Sequence, residues 1–519
     1  MIMMILMINR IVFILFFCIL IPNNKSSIRI ESADPDKIGI ENQSLIEEVQ
    51  EESIILKLFD SFENDTDITV SSWSFYAYNI TKNEHVVEKY IKKKLIPASV
   101  QKIVTTATAF DKLSGSYFFK TDIYYNGIIT EDSTLNGDII IYGSGDPTID
   151  FEQFGRHSSA ENIFEKWKNS ILKTGIKKIN GNIIGDASLF GYMLPSPSYL
   201  WEDIGNYYGA GASGLTFREN KFKITFNAGN TGDKATILKI DSLNYDIEFI
   251  NLVTIAEKNT GDNVHIFNLP FQKNILLLGT IPAGKSEFSV FAADPNPALS
   301  FSSEFYKFLN ENALNVEGKP TYIYDQQKSP IANKENINKI ATHQSPSLQH
   351  ICEQINKKSH NVTAECLYRT LGVSLNNDAS YAQTSNAIAR YWEGKDLPVK
   401  NLSISDGSGL SRKNLLSTEF LVKLLIYIYE QDYFESFYET LAIAGVDGTL
   451  ENFGRNTIAE KNIRAKSGYM GSIRSYAGYF TTQSGDVVAF AVIVNFHDGS
   501  AASVRKKIEQ LLITIIENA

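Results

Sequence analysis

The chain has 519 residues, of which 43% are hydrophobic and 12% aromatic. That is enough apolar material for more than one core, and it excludes a disordered chain. With 59 acidic against 49 basic residues the formal charge is −10, so no nucleic-acid partner is expected. The seven histidines show no HExxH or CxxC spacing, which predicts no metal site and no cofactor.

Arg10 is followed by an apolar run from Ile11 to Ile21 that stops at Pro22. The run is too short for a membrane-spanning helix and has the length of a signal-peptide core. Residues 1–22 are therefore read as a signal peptide, or as a retained anchor with some membrane association, because the residues before Arg10 are also apolar. Export to the periplasm or another extracytoplasmic space follows. Phe16 and Phe17 stand before Cys18 where a lipid-modified cysteine would follow small residues. Residues 23–45 are polar, contain Pro35 and read as a linker.

Trp73–Ile80 is rich in aromatics and predicts a strand. Lys92-Lys93-Lys94 reads as a solvated strand end. Beyond Pro97, apolar residues at Ile103, Ala107, Phe110 and Leu113 follow a helical period that opens near Ser99. From 119 to 291 the texture changes to short β-like runs, including Lys221–Phe226, Tyr245–Ile255 and Asn274–Ile281, broken by Gly, Asn and Asp. One helix interrupts them, Ala160–Lys173, with Ile163, Phe164, Trp167 and Ile171 on one face and Gly175 as its stop. After Pro295 helices return. Two strands, Ser472–Thr482 and Val487–Phe496, are joined by a hairpin turn at Gln483-Ser484-Gly485-Asp486. A last amphipathic helix turns Val504, Ile508, Leu511, Leu512 and Ile515 inward.

The pattern predicts a mixed α/β (α+β) fold. Residues 46–118 and 292–519 form a discontinuous body, and 119–291 form one or two β-rich inserted domains. Cys352 and Cys366 remain after processing, and sequence alone does not decide whether they pair.

Three short motifs carry chemistry. In Ser99-Val100-Gln101-Lys102 the first and last residues share a helix face, so the amine sits beside the hydroxyl. A serine needs a base before it attacks, and a lysine serves once burial or a neighbouring cation lowers its pKa. Ser359-His360-Asn361 offers a second hydroxyl for proton relay and an amide for hydrogen bonds; its alternative is an ordinary helix N-cap. Lys466-Ser467-Gly468 stands just before the final hairpin, where lysine and hydroxyl hold a carboxylate and glycine admits substrate backbone. Each motif has rivals elsewhere: Ser170-Ile171-Leu172-Lys173, Ser242-Leu243-Asn244, Ser374-Leu375-Asn376, and the better-spelled Lys173-Thr174-Gly175. Order and context select the first three, because they open a helix, lie between helices and start the last hairpin.

With these motifs in that order, the chain resembles the class C low-molecular-mass penicillin-binding proteins, the D-alanyl-D-alanine carboxypeptidase/endopeptidase family. Gly143-Ser144-Gly145-Asp146-Pro147-Thr148, Asp406-Gly407-Ser408-Gly409-Leu410-Ser411-Arg412 and Ala444-Gly445-Val446-Asp447-Gly448-Thr449-Leu450 add to the resemblance, which spans roughly residues 70 to 515. It implies a penicillin-binding/β-lactamase-like body with an antiparallel sheet flanked by helices, acting on peptidoglycan stem peptides and acylated by β-lactam antibiotics. It also implies Ser99 as nucleophile, Lys102 as base, and Ser359 and Asn361 as relay and substrate contacts. Lys466, Ser467 and Gly468 would meet the substrate's terminal carboxylate, with backbone N–H groups of Ser99 and Tyr469 as the oxyanion hole. Ser467 departs from the family's usual Thr but keeps the hydroxyl. Asp186, in Gly185-Asp186-Ala187-Ser188-Leu189-Phe190, would meet an amine on the substrate's side chain; the alternative is a carboxylate that ends a strand and caps a turn. Two other functions compete, a β-lactamase-like hydrolase and a non-catalytic cell-wall binding or sensor protein. The long insertion argues against the first and the intact motifs against the second.

Overall fold

The computed structural model describes residues 54–333 and 336–519. Residues 1–22 and 23–45, read above as signal or anchor and linker, lie outside the described residues. Among the described residues no helix is long and apolar enough to cross a membrane, and no group of His, Cys, Asp and Glu is placed to hold a metal ion.

The large side chains of Ser72–Asn79 and the unbroken apolar run Val487–Asn495 form neighbouring strands of a six-stranded antiparallel sheet. Its order is Ala442–Ile443, Arg464–Met470, Ile473–Thr481, Val487–Asn495, Ser72–Asn79 and Glu84–Lys89. Ala489, Ala491 and Ile493 join Leu421 and Leu425 of helix Thr418–Tyr429 in one core. Their neighbours Val488, Phe490, Val492 and Val494 are buried as well, as expected of a strand covered on both faces. The C-terminal helix Ala501–Asn518 packs on strand Ile473–Thr481 and buries Val504, Ile508, Leu511, Leu512 and Ile515. Full burial of each such side chain contributes ~2 kcal/mol.

Helix Gln101–Leu113 has every residue from Gln101 to Phe110 buried, the signature of a helix enclosed on all sides. Helices Leu348–Lys358 and Asn361–Asn376 pack against it.

The inserted region holds two further cores. The first surrounds a five-stranded sheet ordered Pro320–Ile323, Ile183–Asp186, Ile139–Tyr142, Lys120–Asn126 and Ile337–Gln344. Helix Ala160–Lys173 lays Ile163, Phe164, Trp167 and Ile171 into that core, where they meet Phe301, Phe305 and Leu309 of helix Pro297–Glu311. The second core is all β and lies between residues 221 and 293. Strands Lys221–Asn227, Thr236–Asp241 and Glu287–Ala293 face a sheet built on Asn274–Pro282.

The expected C-terminal limit of the insertion, residue 291, is corrected by the strand pairing. Pro320–Ile323 runs parallel to Ile183–Asp186, and Ile337–Gln344 runs antiparallel to Lys120–Asn126. The outer body therefore resumes after Gln344 rather than at 292. Cys352 and Cys366 are both free and buried, so no disulfide links them.

Candidate active site

The site begins at a tight entry to the buried helix. Ala98 has φ of 46°, a left-handed conformation that L residues adopt only under constraint. The constraint is visible: Ser475 Oγ on the final hairpin donates to the Pro97 carbonyl at 2.6 Å. A 3-10 turn, Ala98–Val100, then runs into helix Gln101–Leu113. Half-buried Ser99 thus stands at a helix N-terminus, where developing negative charge is favoured.

Lys102 lies one turn on. Its Nζ is 3.1 Å from Ser99 Oγ, 2.8 Å from Asn361 Oδ1 and 2.6 Å from the Ser408 carbonyl oxygen. The side chain is fully buried. Burial lowers its pKa to about 7, although the charges of Asp406 and Glu365 pull it back up. Near pH 7 a large share of the amine is neutral, with a lone pair free to accept the serine proton.

Two buried carboxylates frame the loop that holds Lys102. Asp406 accepts from the backbone N–H groups of Gly409 (2.7 Å) and Ser411 (2.6 Å) and from Asn414 Nδ2 (2.8 Å). Burial and the nearby Glu365 push its pKa up. Glu365 accepts from the Ser408 N–H at 2.7 Å and from the Tyr199 hydroxyl at 2.9 Å. This network aims the Ser408 carbonyl at the lysine. Sequence reasoning gave Glu365 and Tyr199 no part in it. The available signal was the one carboxylate of the segment Asn361–Asn376, in the run Ala364-Glu365-Cys366-Leu367.

The second motif fills the junction of two helices. Ser359 ends helix Leu348–Lys358 in a left-handed conformation with φ of 63°. Asn361 opens helix Asn361–Asn376; besides binding Lys102 it donates from Nδ2 to the Tyr208 carbonyl at 2.8 Å. Tyr207, Tyr208, Glu219 and Lys221 of the insertion enclose, with Ser359, His360 and Asn361, a cleft of about 390 Å³.

The third motif lies on strand Arg464–Met470, hydrogen-bonded to the hairpin that anchors Pro97. Lys466 is buried, and burial, with the charge of Lys102, drives its pKa well down. Its Nζ donates to the Ser467 carbonyl at 2.7 Å, and Ser467 Oγ donates to Thr449 Oγ1 at 2.7 Å. Gly468 is required by closeness: a Cβ there would stand 2.7 Å from the Pro97 oxygen and 3.1 Å from the Ser99 nitrogen. The backbone of the third motif therefore passes beside the Ser99 N–H. Tyr469 is exposed, with 57% of its surface accessible.

The rival motifs fall elsewhere. Ser170 hydrogen-bonds the Lys166 carbonyl on the outer face of its helix, and Lys173 is exposed at the helix end. Thr174 bonds the Ile171 carbonyl, and Gly175 stops the helix at φ of 93°. Ser242 and Asn244 belong to the insertion, and Asn244 pairs with Glu304. Ser374 and Asn376 close helix Asn361–Asn376.

Asp186 ends a strand inside the insertion's sheet, fully buried. Its carboxylate accepts from the Ser188 N–H at 3.0 Å and from the Ser329 hydroxyl, and burial raises its pKa. Both oxygens are occupied and the side chain is buried, the arrangement of a carboxylate that ends a strand and caps a turn.

A model of the D-Ala-D-Ala carboxypeptidase 3 (S13) family matches residues 56–515, and the chain belongs to that family. It is 26% identical over 433 residues to the D-alanyl-D-alanine carboxypeptidase DacB of Haemophilus influenzae, across 82% of this chain and 85% of that protein. It is 24% identical over 421 residues to the D-alanyl-D-alanine carboxypeptidase of an Actinomadura species, across 79% and 75%. The crystal structure of penicillin binding protein 4 from Haemophilus influenzae shares the fold, with a TM-score of 0.74 at 23% identity over 89% of this chain and 98% of that one. That protein has also been crystallised in complex with a β-lactam. The family and mixed fold expected from the motifs are those found.

Proposed function

We propose that this chain, a D-Ala-D-Ala carboxypeptidase by family, works on peptidoglycan stem peptides through an acyl-enzyme on Ser99. The same step makes it a target of β-lactams. The observation that supports this best is the buried Lys102 amine, 3.1 Å from Ser99 Oγ and with a pKa of about 7.

The peptide's terminal carboxylate docks on Lys466 and Ser467. A carboxylate arriving there stabilises the protonated Lys466 that burial otherwise disfavours. Neutral Lys102 takes the Ser99 proton as Oγ attacks the carbonyl carbon of the penultimate D-alanine. The oxyanion accepts hydrogen bonds from the Ser99 and Tyr469 N–H groups, each such donor contributing about 3–4 kcal/mol to the transition state. Collapse breaks the peptide bond. The leaving amine takes the proton back, with Ser359 as relay between it and Lys102. Water then attacks the ester, its proton passing to Lys102 and on to Ser99 Oγ, which releases the shortened peptide. Where the leaving amine belongs to a neighbouring stem, the same cycle is an endopeptidase. Such substrates lie outside the cytoplasm, which accords with reading the apolar residues 11–21 as an export signal.

Labelled penicillin and a D-Ala-D-Ala peptide test this together. The expected result is a long-lived adduct on Ser99 and release of D-alanine. An adduct that turns over quickly without D-alanine release would favour the β-lactamase-like alternative and overturn the reading.

A further inference from the structure

Arg218, Glu219 and Asn220 have φ of 52°, 56° and 50°. Three successive left-handed L residues are unfavourable, because each Cβ crowds its own carbonyl. The turn is held from several sides. Arg218 pairs with Asp150 at 2.6 Å and Glu304 at 3.1 Å, and its N–H donates to the Ile149 carbonyl at 3.0 Å. Asn220 donates to the Gly211 carbonyl at 2.8 Å and accepts from the Phe217 N–H at 3.0 Å.

This strained turn delivers one side chain to the cleft lined by Ser359, His360 and Asn361. Glu219 stands 3.3 Å from Nδ1 of His360, the middle residue of the Ser359-His360-Asn361 motif, and 2.7 Å from Lys221. The His360 ring packs on Phe151, centroid to centroid 4.6 Å. Burial and the charges of Lys221, Lys102 and Lys358 lower its pKa to about 4, so the ring is neutral at neutral pH. The neutral ring lies against the carboxylate, with Nδ1 3.3 Å from its oxygen. His360 is also the N-cap of helix Asn361–Asn376 and makes no side-chain capping bond there. Its ring is thus held from outside the helix, between Phe151 and Glu219.

We propose that Glu219 is a positioning residue for the reaction: by holding the His360 ring it fixes Ser359 and Asn361 relative to Lys102. The inference rests on the roles given above to Ser359 and Asn361. It explains why a strained turn is maintained at this edge of the insertion.

The test compares Glu219→Gln, His360→Phe, the double variant and Asn361→Ala in the whole protein. Acylation rate with labelled penicillin is measured alongside kcat and KM for a D-Ala-D-Ala peptide. His360→Phe keeps a ring against Phe151 and removes the nitrogen facing Glu219, so it also serves if Glu219→Gln fails to fold. Each single change should lower acylation and kcat about tenfold with KM within about twofold, as expected when reacting groups are displaced rather than removed. The double variant should lose no more than either single one. Wild-type acylation in Glu219→Gln or His360→Phe, additive losses in the double variant, or a change confined to KM would overturn the proposal. Wild-type acylation in Asn361→Ala would instead strike the reading of the motif itself.

Discussion

Ser99–Lys102 and Ser170–Lys173 carry the same spacing on two helices of one molecule, and in both the lysine lies a turn beyond the serine. In the first, the helix is buried through Phe110 and three oxygens converge on the amine. In the second, the serine satisfies itself on the Lys166 carbonyl and the lysine extends into water. Spacing therefore supplies only proximity; burial supplies the reactivity. The same contrast separates Lys466-Ser467-Gly468, on a strand beside the Ser99 N–H, from Lys173-Thr174-Gly175, which stops a helix.

Ser99→Ala breaks the comparison most severely. Labelled-penicillin adduct should disappear while the unfolding free energy stays within ~0.5 kcal/mol of wild type, since one hydroxyl is lost. Adduct found on Ser170 by mass spectrometry would reverse the assignment of the two helices. Lys102→Ala comes next, with acylation slowed by about 10²–10⁴ as the general base is removed. The pH profile sharpens this. The neutral amine is the active form, so wild-type acylation should rise with pH and level off above about 7, and this inflection should vanish in Lys102→Ala. Lys466→Ala should cost about tenfold to a hundredfold for a peptide with a free terminal carboxylate, measured as kcat/KM. An amidated peptide should be handled as before, and equal losses on both would contradict carboxylate docking. Lys173→Ala should be nearly silent, within about twofold in kcat/KM; a tenfold loss, ~1.4 kcal/mol of transition-state binding, would make the exposed copy functional.

Much of this was legible because local signals and long-range packing agree. The entry at Ser99, helix Ala160–Lys173, the final hairpin and the last helix each follow a periodicity that tertiary contacts reinforce. The extent of the insertion was not legible. Strands Pro320–Ile323 and Ile337–Gln344 find partners more than a hundred residues earlier, and no local pattern encodes such a partner. Helix Pro297–Glu311 has the texture of the outer body yet buries Phe301 and Phe305 against Trp167. Asp186 shows the limit at the level of one side chain. A motif states that a carboxylate is present, whereas its direction depends on Ser329, distant in sequence. Glu219 escaped notice because its orientation comes from a backbone conformation that Arg, Glu and Asn do not advertise.

Strand Ser72–Asn79 lies between Glu84–Lys89 and Val487–Asn495, so the central sheet joins the two ends of the described chain. Polypeptides are made from the N-terminus, and domains generally fold as units. The insertion's cores are built from residues 120 to 344, whereas the sheet that anchors Pro97 and sets Ser99 beside Gly468 draws strands from both ends of the described chain. Formation of the long-range sheet is the slow, non-local event in this topology. Ser99 is encoded early, whereas the strands that seat it, Arg464–Met470, Ile473–Thr481 and Val487–Asn495, are encoded late.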